Sequence, residues 1–202
     1  MRKQELQVIK ATSENLQKIV ILHYDNLAGD LVDMGPAVLS EFYRKGFVNN
    51  NIQVYMGVVE DRISGFAVIT DNEESTFRKN LYSSIWAVLR LFIIARKRPL
   101  IKTILRKFKG GDEGVDVGPS LLYLAIDKHL RCNGLGRKLL NAIELKLKNN
   151  SETKYHLQVK CENSVAINFY MNNGFIEIRY VPERELIVLE KELSITNITK
   201  GH

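Results

Sequence analysis

The sequence predicts a mixed α/β fold in which helices pack on a sheet. Three observations carry this. Stretches of strand-like apolar alternation interleave with stretches whose apolar residues recur at three and four. Two strand-like runs, 54–59 and 63–70, are separated only by Glu60-Asp61-Arg62, which marks a β-hairpin. A third run, 121–126, leads through two closely spaced glycines straight into an amphipathic helix.

Taken in order, residues 6–10 alternate and predict a first strand. Thr12 or Ser13 then caps a helix with apolar positions at Leu16, Ile19, Val20 and Leu27. Gly35-Pro36 opens a second helix, with Val38, Leu39, Phe42 and Tyr43 at helical spacing and Gly46 near its end. After the hairpin, Leu81, Ile85, Val88, Leu89, Phe92 and Ile93 predict one or two helices. Pro99 separates these from a stretch at 100–109, and Gly110-Gly111, Gly114 and Gly118-Pro119 end the excursion. The remainder reads as strand 121–126, helix 134–148, strand 155–159, helix 164–173 and strands 175–180 and 186–189. No internal repeat is visible.

The composition excludes several classes. With 202 residues, 45% hydrophobic and 26% charged, the chain is neither disordered, collagen-like nor a coiled coil. The length suits a single domain, 1–202, with an insertion at about 75–118. The net charge of +6 is local. Ten basic residues (Arg78, Lys79, Arg90, Arg96, Lys97, Arg98, Lys102, Arg106, Lys107 and Lys109) and no acidic one lie between Ser75 and Gly111. The remainder carries 19 basic and 23 acidic residues. This pattern points to one anionic partner at one segment and not to a surface coated in nucleic acid. Cys132 and Cys161 form neither a disulfide framework nor a metal cluster, so reduced thiols in the cytoplasm and no metal are expected. The N-terminal residues lack a signal-type apolar core, and the run 81–95 is interrupted by Arg90 and falls short of a spanning helix.

The strongest chemical signal is Arg131-Cys132-Asn133-Gly134-Leu135-Gly136-Arg137. Glycines let a backbone approach a phosphate, and the first amides of the following helix point at it. A dinucleotide fingerprint needs a third glycine at 139, where Leu139 stands. Taken alone, the two glycines fit an ordinary tight turn as well. They are not alone: downstream stands Asn163-x-x-Ala166-x-x-Phe169-Tyr170-x-x-x-Gly174-Phe175. Together the two motifs resemble the GNAT superfamily of acyl-CoA-dependent N-acetyltransferases, and the resemblance spans the chain apart from the basic insertion.

The resemblance implies a mostly antiparallel twisted sheet flanked by helices, with the helical insertion before the strand that leads to the CoA loop. It implies acetyl-CoA as co-substrate, its pyrophosphate on the amides of Arg131, Cys132, Asn133, Gly134, Leu135, Gly136 and Arg137. The pantetheine arm is expected to pair with the strand at Leu124, Ala125 and Ile126, which splays from its parallel neighbour 155–159. Asn163 contacts the pantetheine or caps its helix. Tyr170 is expected to protonate the departing CoA thiolate, a role suited to a phenol with a pKa near 10; packing beside Phe169 and Phe175 is the bland reading. Transfer is direct, so the two cysteines read as small packing residues. Many relatives carry a Glu at the position of Ser120, so the base stays unassigned among His23, Asp25, Asp33 and Glu41, with His129 on the loop surface.

The insertion roots on the acceptor side of such a sheet. Its cations suit an anionic amine acceptor, a nucleotide-linked amino sugar foremost. Its Trp86, Phe92 and neighbouring apolar residues beside a basic face also suit peripheral contact with the inner membrane surface through residues 78–109. Packed amphipathic helices are the bland reading. No nucleic-acid partner is expected. A protein or ribosome N-acetyltransferase, a non-catalytic acyl-CoA-binding module and a homodimer stay open.

Overall fold

The computed structural model describes residues 6–77, 79–80 and 118–194. The helices expected over 81–93 and 100–109, and most of the basic residues, lie outside the described residues. Seven strands form one sheet: β1 (Gln7–Lys10), β2 (Gln53–Val59), β3 (Arg62–Thr70), β4 (Ser120–Ile126), β5 (Lys154–Lys160), β6 (Ile176–Val181) and β7 (Leu186–Glu192). Their order is β1-β2-β3-β4-β5-β7-β6, and every neighbouring pair is antiparallel except β4–β5. The expected mixed, mostly antiparallel sheet is therefore observed.

The β2–β3 hairpin turns on Glu60 (φ 50°) and Asp61 (φ 62°). Two consecutive left-handed residues give the turn whose twist matches that of the strands. Alternation then sorts the side chains. Val54, Met56, Phe66 and Val68 enter one core, while Tyr55, Ala67 and Ile69 enter another on the opposite face. Because helices cover both faces, β3 is buried almost along its whole length.

The first face is covered by α1 (Leu16–Asn26), a short α2 (Asp30–Asp33) and α3 (Pro36–Asn49). Ile19, Val20, Leu39, Phe42 and Tyr43 are their buried knobs. A 3-10 turn at Ser13–Asn15 precedes α1, with the Thr12 amide donating to Asn15 Oδ1 at 2.9 Å. The short α2 carries too little periodicity to be visible in sequence. Gly46 lies near the end of α3, as expected. It is buried, and a Cβ there would collide with the Ile52 side chain, so it is also a packing position.

The opposite face is covered by α5 (Leu135–Asn149), named after the five-residue α4 (Glu73–Phe77). Leu135, Leu139, Leu140, Ile143 and Leu147 form its apolar stripe. The stripe also contains Glu144, which accepts from the Tyr155 hydroxyl at 2.7 Å and the Lys191 ammonium at 2.6 Å; this pairing is what permits a carboxylate to be buried there. The last helix, α6 (Ser164–Met171), has no buried residue and leaves Val165 80% exposed.

Candidate active site

The β4–α5–β5 crossover returns β5 parallel to β4, yet the two strands pair only at Ser120 and His156, with the His156 amide donating to Pro119 O at 3.1 Å. Beyond that point they diverge. The cleft between them has a volume of about 720 Å³. Its walls are Leu122, Tyr123 and Leu124 of β4, Gln158, Val159 and Lys160 of β5, Asn163, Ala166 and Tyr170 of α6, and His23 with residues 27–32 from the first helices. A strand edge without a partner strand leaves main-chain donors and acceptors for an extended ligand. The expected splay is present.

Past Ile126 the chain makes a 3-10 turn, Lys128–Leu130, closed by Asp127 Oδ1 accepting from the His129 amide at 2.9 Å. Cys132 (φ 67°) and Gly134 (φ 71°) then adopt left-handed conformations and α5 begins. The amides of Leu135, Gly136 and Arg137 have no acceptor within their own helix, as at any helix start, and the helix dipole adds to their attraction for an anion. A Cβ on Gly134 would meet nothing within 4 Å, so the backbone there borders open space. At Gly136 a Cβ would lie 3.4 Å from the Phe169 ring, so the small residue lets α5 and α6 approach. These features fit a phosphate against the loop.

One loop residue, Cys132, differs from the packing role expected of it. Arg131 donates through Nε to Ile126 O at 3.2 Å and through Nη2 to Asn26 O at 2.9 Å, so its guanidinium braces the loop against α1. Cys132 is exposed at a positive φ and does no packing, whereas Cys161 is half-buried in the cleft wall. His129 is exposed, as expected.

Asn163 and Tyr170, two turns apart, both line the cleft. Asn163 Oδ1 accepts from the Ala166 amide at 3.1 Å, so the helix-capping role is realised. Tyr170 packs edge-on against Phe169 and Phe175 at 5.2 and 5.3 Å between ring centroids. Burial pushes its phenol up from the ordinary 10, which keeps it protonated throughout the neutral range.

At the other end of the cleft, His23 shares a 2.7 Å hydrogen bond with the Tyr43 hydroxyl and stands 4.5 Å from the Tyr123 ring. Burial pulls its pKa down to about 4, so the imidazole is neutral. Of the four carboxylate and imidazole candidates for a base, His23 alone lines the cleft. Asp25 and Asp33 are exposed, and Glu41 pairs with Arg44 at 2.6 Å. The cleft instead contains Glu73, the first residue of α4, whose Oε2 accepts from the Ser120 hydroxyl at 3.2 Å. Sequence reasoning missed it. The available signal was the antiparallel register Thr70↔Ser120, which brings residues just after β3 beside the start of β4.

Among the described residues, no three His, Cys, Asp or Glu side chains stand together as a metal-binding group, and no helix is long and apolar enough to cross a membrane.

Residues 89–177 match the family described as "Acetyltransferase (GNAT) domain". No curated protein matches the chain in sequence. Solved structures share its fold. The PaiA N-acetyltransferase of Thermoplasma acidophilum in complex with coenzyme A is 14% identical with a TM-score of 0.60, over 93% of this chain and 99% of that one. The ribosomal-protein-S18-alanine N-acetyltransferase of Escherichia coli is 13% identical with a TM-score of 0.60, over 98% and 100%. An acetyltransferase of Thermus thermophilus is 13% identical with a TM-score of 0.62, over 96% and 100%.

Proposed function

We propose that the chain is an acyltransferase of the GNAT type, whose family model matches residues 89–177, and that it moves an acetyl group from acetyl-CoA to the amine of a small acceptor by direct attack. The single observation that carries this is the cleft between β4 and β5, which has Tyr170 in its wall. The amides of residues 131–137 receive the pyrophosphate, and the open edge of β4 at Leu124, Ala125 and Ile126 pairs with the pantetheine arm. Holding amine and thioester together removes most of the entropic barrier to their reaction. The amine nitrogen bonds to the thioester carbon, the C–S bond breaks, and Tyr170 hands its proton to the leaving sulfur. A proton from the acylated nitrogen, passed through solvent, restores the phenol.

The acceptor is read as an amine with an anionic portion, a nucleotide-linked amino sugar foremost. The ten basic residues between Ser75 and Gly111, on the segment entering β4, support this. The same cations favour contact with an anionic membrane surface from the cytoplasmic side. The likeness to a ribosomal-protein acetyltransferase supports a protein amine as the second reading.

The test is release of CoA thiol from acetyl-CoA in the presence of a panel of amines, including nucleotide amino sugars and N-terminal peptides. Turnover with an anionic amine is the expected result. Tight CoA binding with no turnover of any amine would favour a non-catalytic acyl-CoA-binding module.

A further inference from the structure

We propose that Glu73 is the general base that deprotonates the acceptor amine, an inference that rests on reading the cleft as the site of acetyl transfer. Glu73 is half-buried in the wall of that cleft and is held in place from two sides. Ser120, 1% exposed, donates to Oε2 at 3.2 Å. The turn that carries Glu73 is pinned by buried hydroxyls. Thr70 Oγ1 donates to Asn51 O at 2.8 Å and accepts from Thr76 Oγ1 at 2.6 Å. Asn72 Oδ1 caps the same turn by accepting from the Ser75 amide at 2.8 Å. A carboxylate at the tip of a long side chain is thus fixed at the cleft, on α4 and not on β4.

Among the described residues, the other titratable groups at this end are His23 of α1, Asp30 of α2, Tyr43 of α3 and Tyr123 of β4. His23 and Tyr43 occupy one another and His23 resists charging. Tyr123 is a phenol kept protonated by burial and by the negative charges of Glu73 and Asp30. Among the described residues, Asp30 and Glu73 are the carboxylates from the elements around His23 that line the cleft, and the buried Ser120 hydroxyl orients Glu73. Two acids at the amine end and a basic segment rooted beside them suit an acceptor with a cationic amine and an anionic tail. In the step itself, the acceptor ammonium gives one proton to Glu73 and becomes a neutral amine. Its lone pair then forms the bond to the thioester carbon, and Glu73 later returns its proton to solvent.

The experiment is the pH profile of kcat/KM for the intact chain and the variants Glu73→Gln and Asp30→Asn. CoA affinity and melting temperature are measured alongside. Glu73→Gln keeps an oxygen for Ser120 to donate to. It is expected to lose on the order of 10²–10⁴ in kcat/KM at neutral pH with CoA binding and melting unchanged. The deficit should shrink by about tenfold per pH unit as solution itself deprotonates the amine. A loss that stays constant across pH, a Glu73→Gln variant within about threefold of the parent, or the whole effect appearing in Asp30→Asn overturns the assignment while leaving acetyl transfer intact. A parent chain that binds CoA but acetylates no amine overturns both.

Discussion

The guanidinium of Arg131 donates to the carbonyl of Asn26 at 2.9 Å, across 105 residues of sequence. Asn26 answers with its side chain, accepting from the Lys128 amide at 2.7 Å. The last turn of α1 and the glycine loop are therefore one unit braced by Arg131. Arg131→Gln is expected to weaken CoA binding by about tenfold, the worth of roughly 1–1.5 kcal/mol of lost hydrogen bonding, and to lower the melting temperature because the brace is lost with or without CoA. Arg137→Gln, at an exposed position in the first turn of α5, should reduce the salt dependence of CoA binding and leave melting unchanged. Calorimetric titration of CoA at several salt concentrations, with melting curves, separates the two.

Tyr170→Phe removes a hydroxyl and keeps the ring between Phe169 and Phe175. Turnover should fall by about 10²-fold or more, with CoA affinity retained and stability within about 1 kcal/mol of the parent. Because burial pushes the phenol up, the parent's turnover should not decline at the pH where a free tyrosine ionises, about 10.

His23 makes folding sensitive to acid. Its folded pKa is about 4 against 6.5 for an ordinary imidazole. Between those values the unfolded chain binds a proton that the folded chain does not, so stability rises with pH and is lost on acidification through this window. The contribution is on the order of 3 kcal/mol. Urea unfolding across that range should show the slope in the parent and a flatter response in His23→Gln, which is less stable at neutral pH.

Gly134 is at φ 71° with open space where a Cβ would go. Gly134→Ala should cost about 1 kcal/mol of stability from the left-handed backbone. The added methyl would occupy the face offered to phosphate, so CoA affinity should fall by more than that strain accounts for. Paired melting and CoA-binding measurements test this.

Local pattern made much of this molecule legible in advance. The hairpin, the strand–loop–helix at Gly134 and the shared face of Asn163 and Tyr170 all depend on residues within a few positions of one another. Contacts that join distant parts of the chain were not legible. The brace from Arg131 to Asn26 joins positions 105 apart, and His23 reads as one of four candidates for a base until Tyr43 and burial enclose it. Glu73 stands in an unremarked acidic stretch, and its value appears only when Ser120, 47 positions later, donates to it. That Gly46 lies near the end of α3 was legible, whereas Ile52 lying against it was not.

The sheet is continuous by strand order but has a seam. One ladder pair, Ser120 with His156, ties β1–β4 to β5–β7. Among the described residues, side-chain packing also spans the seam, with Tyr55, Ala67 and Leu121 sharing a core with Leu157, Val159 and Leu189. Dispersion contacts have no preferred direction, unlike ladder hydrogen bonds. Among the described residues the width of the cleft is therefore set by core packing more than by a ladder of backbone bonds. Leu121 and Leu157 are buried in that core, so truncating either to Ala should cost about 2–5 kcal/mol of stability as well as alter the rates at which a ligand enters and leaves.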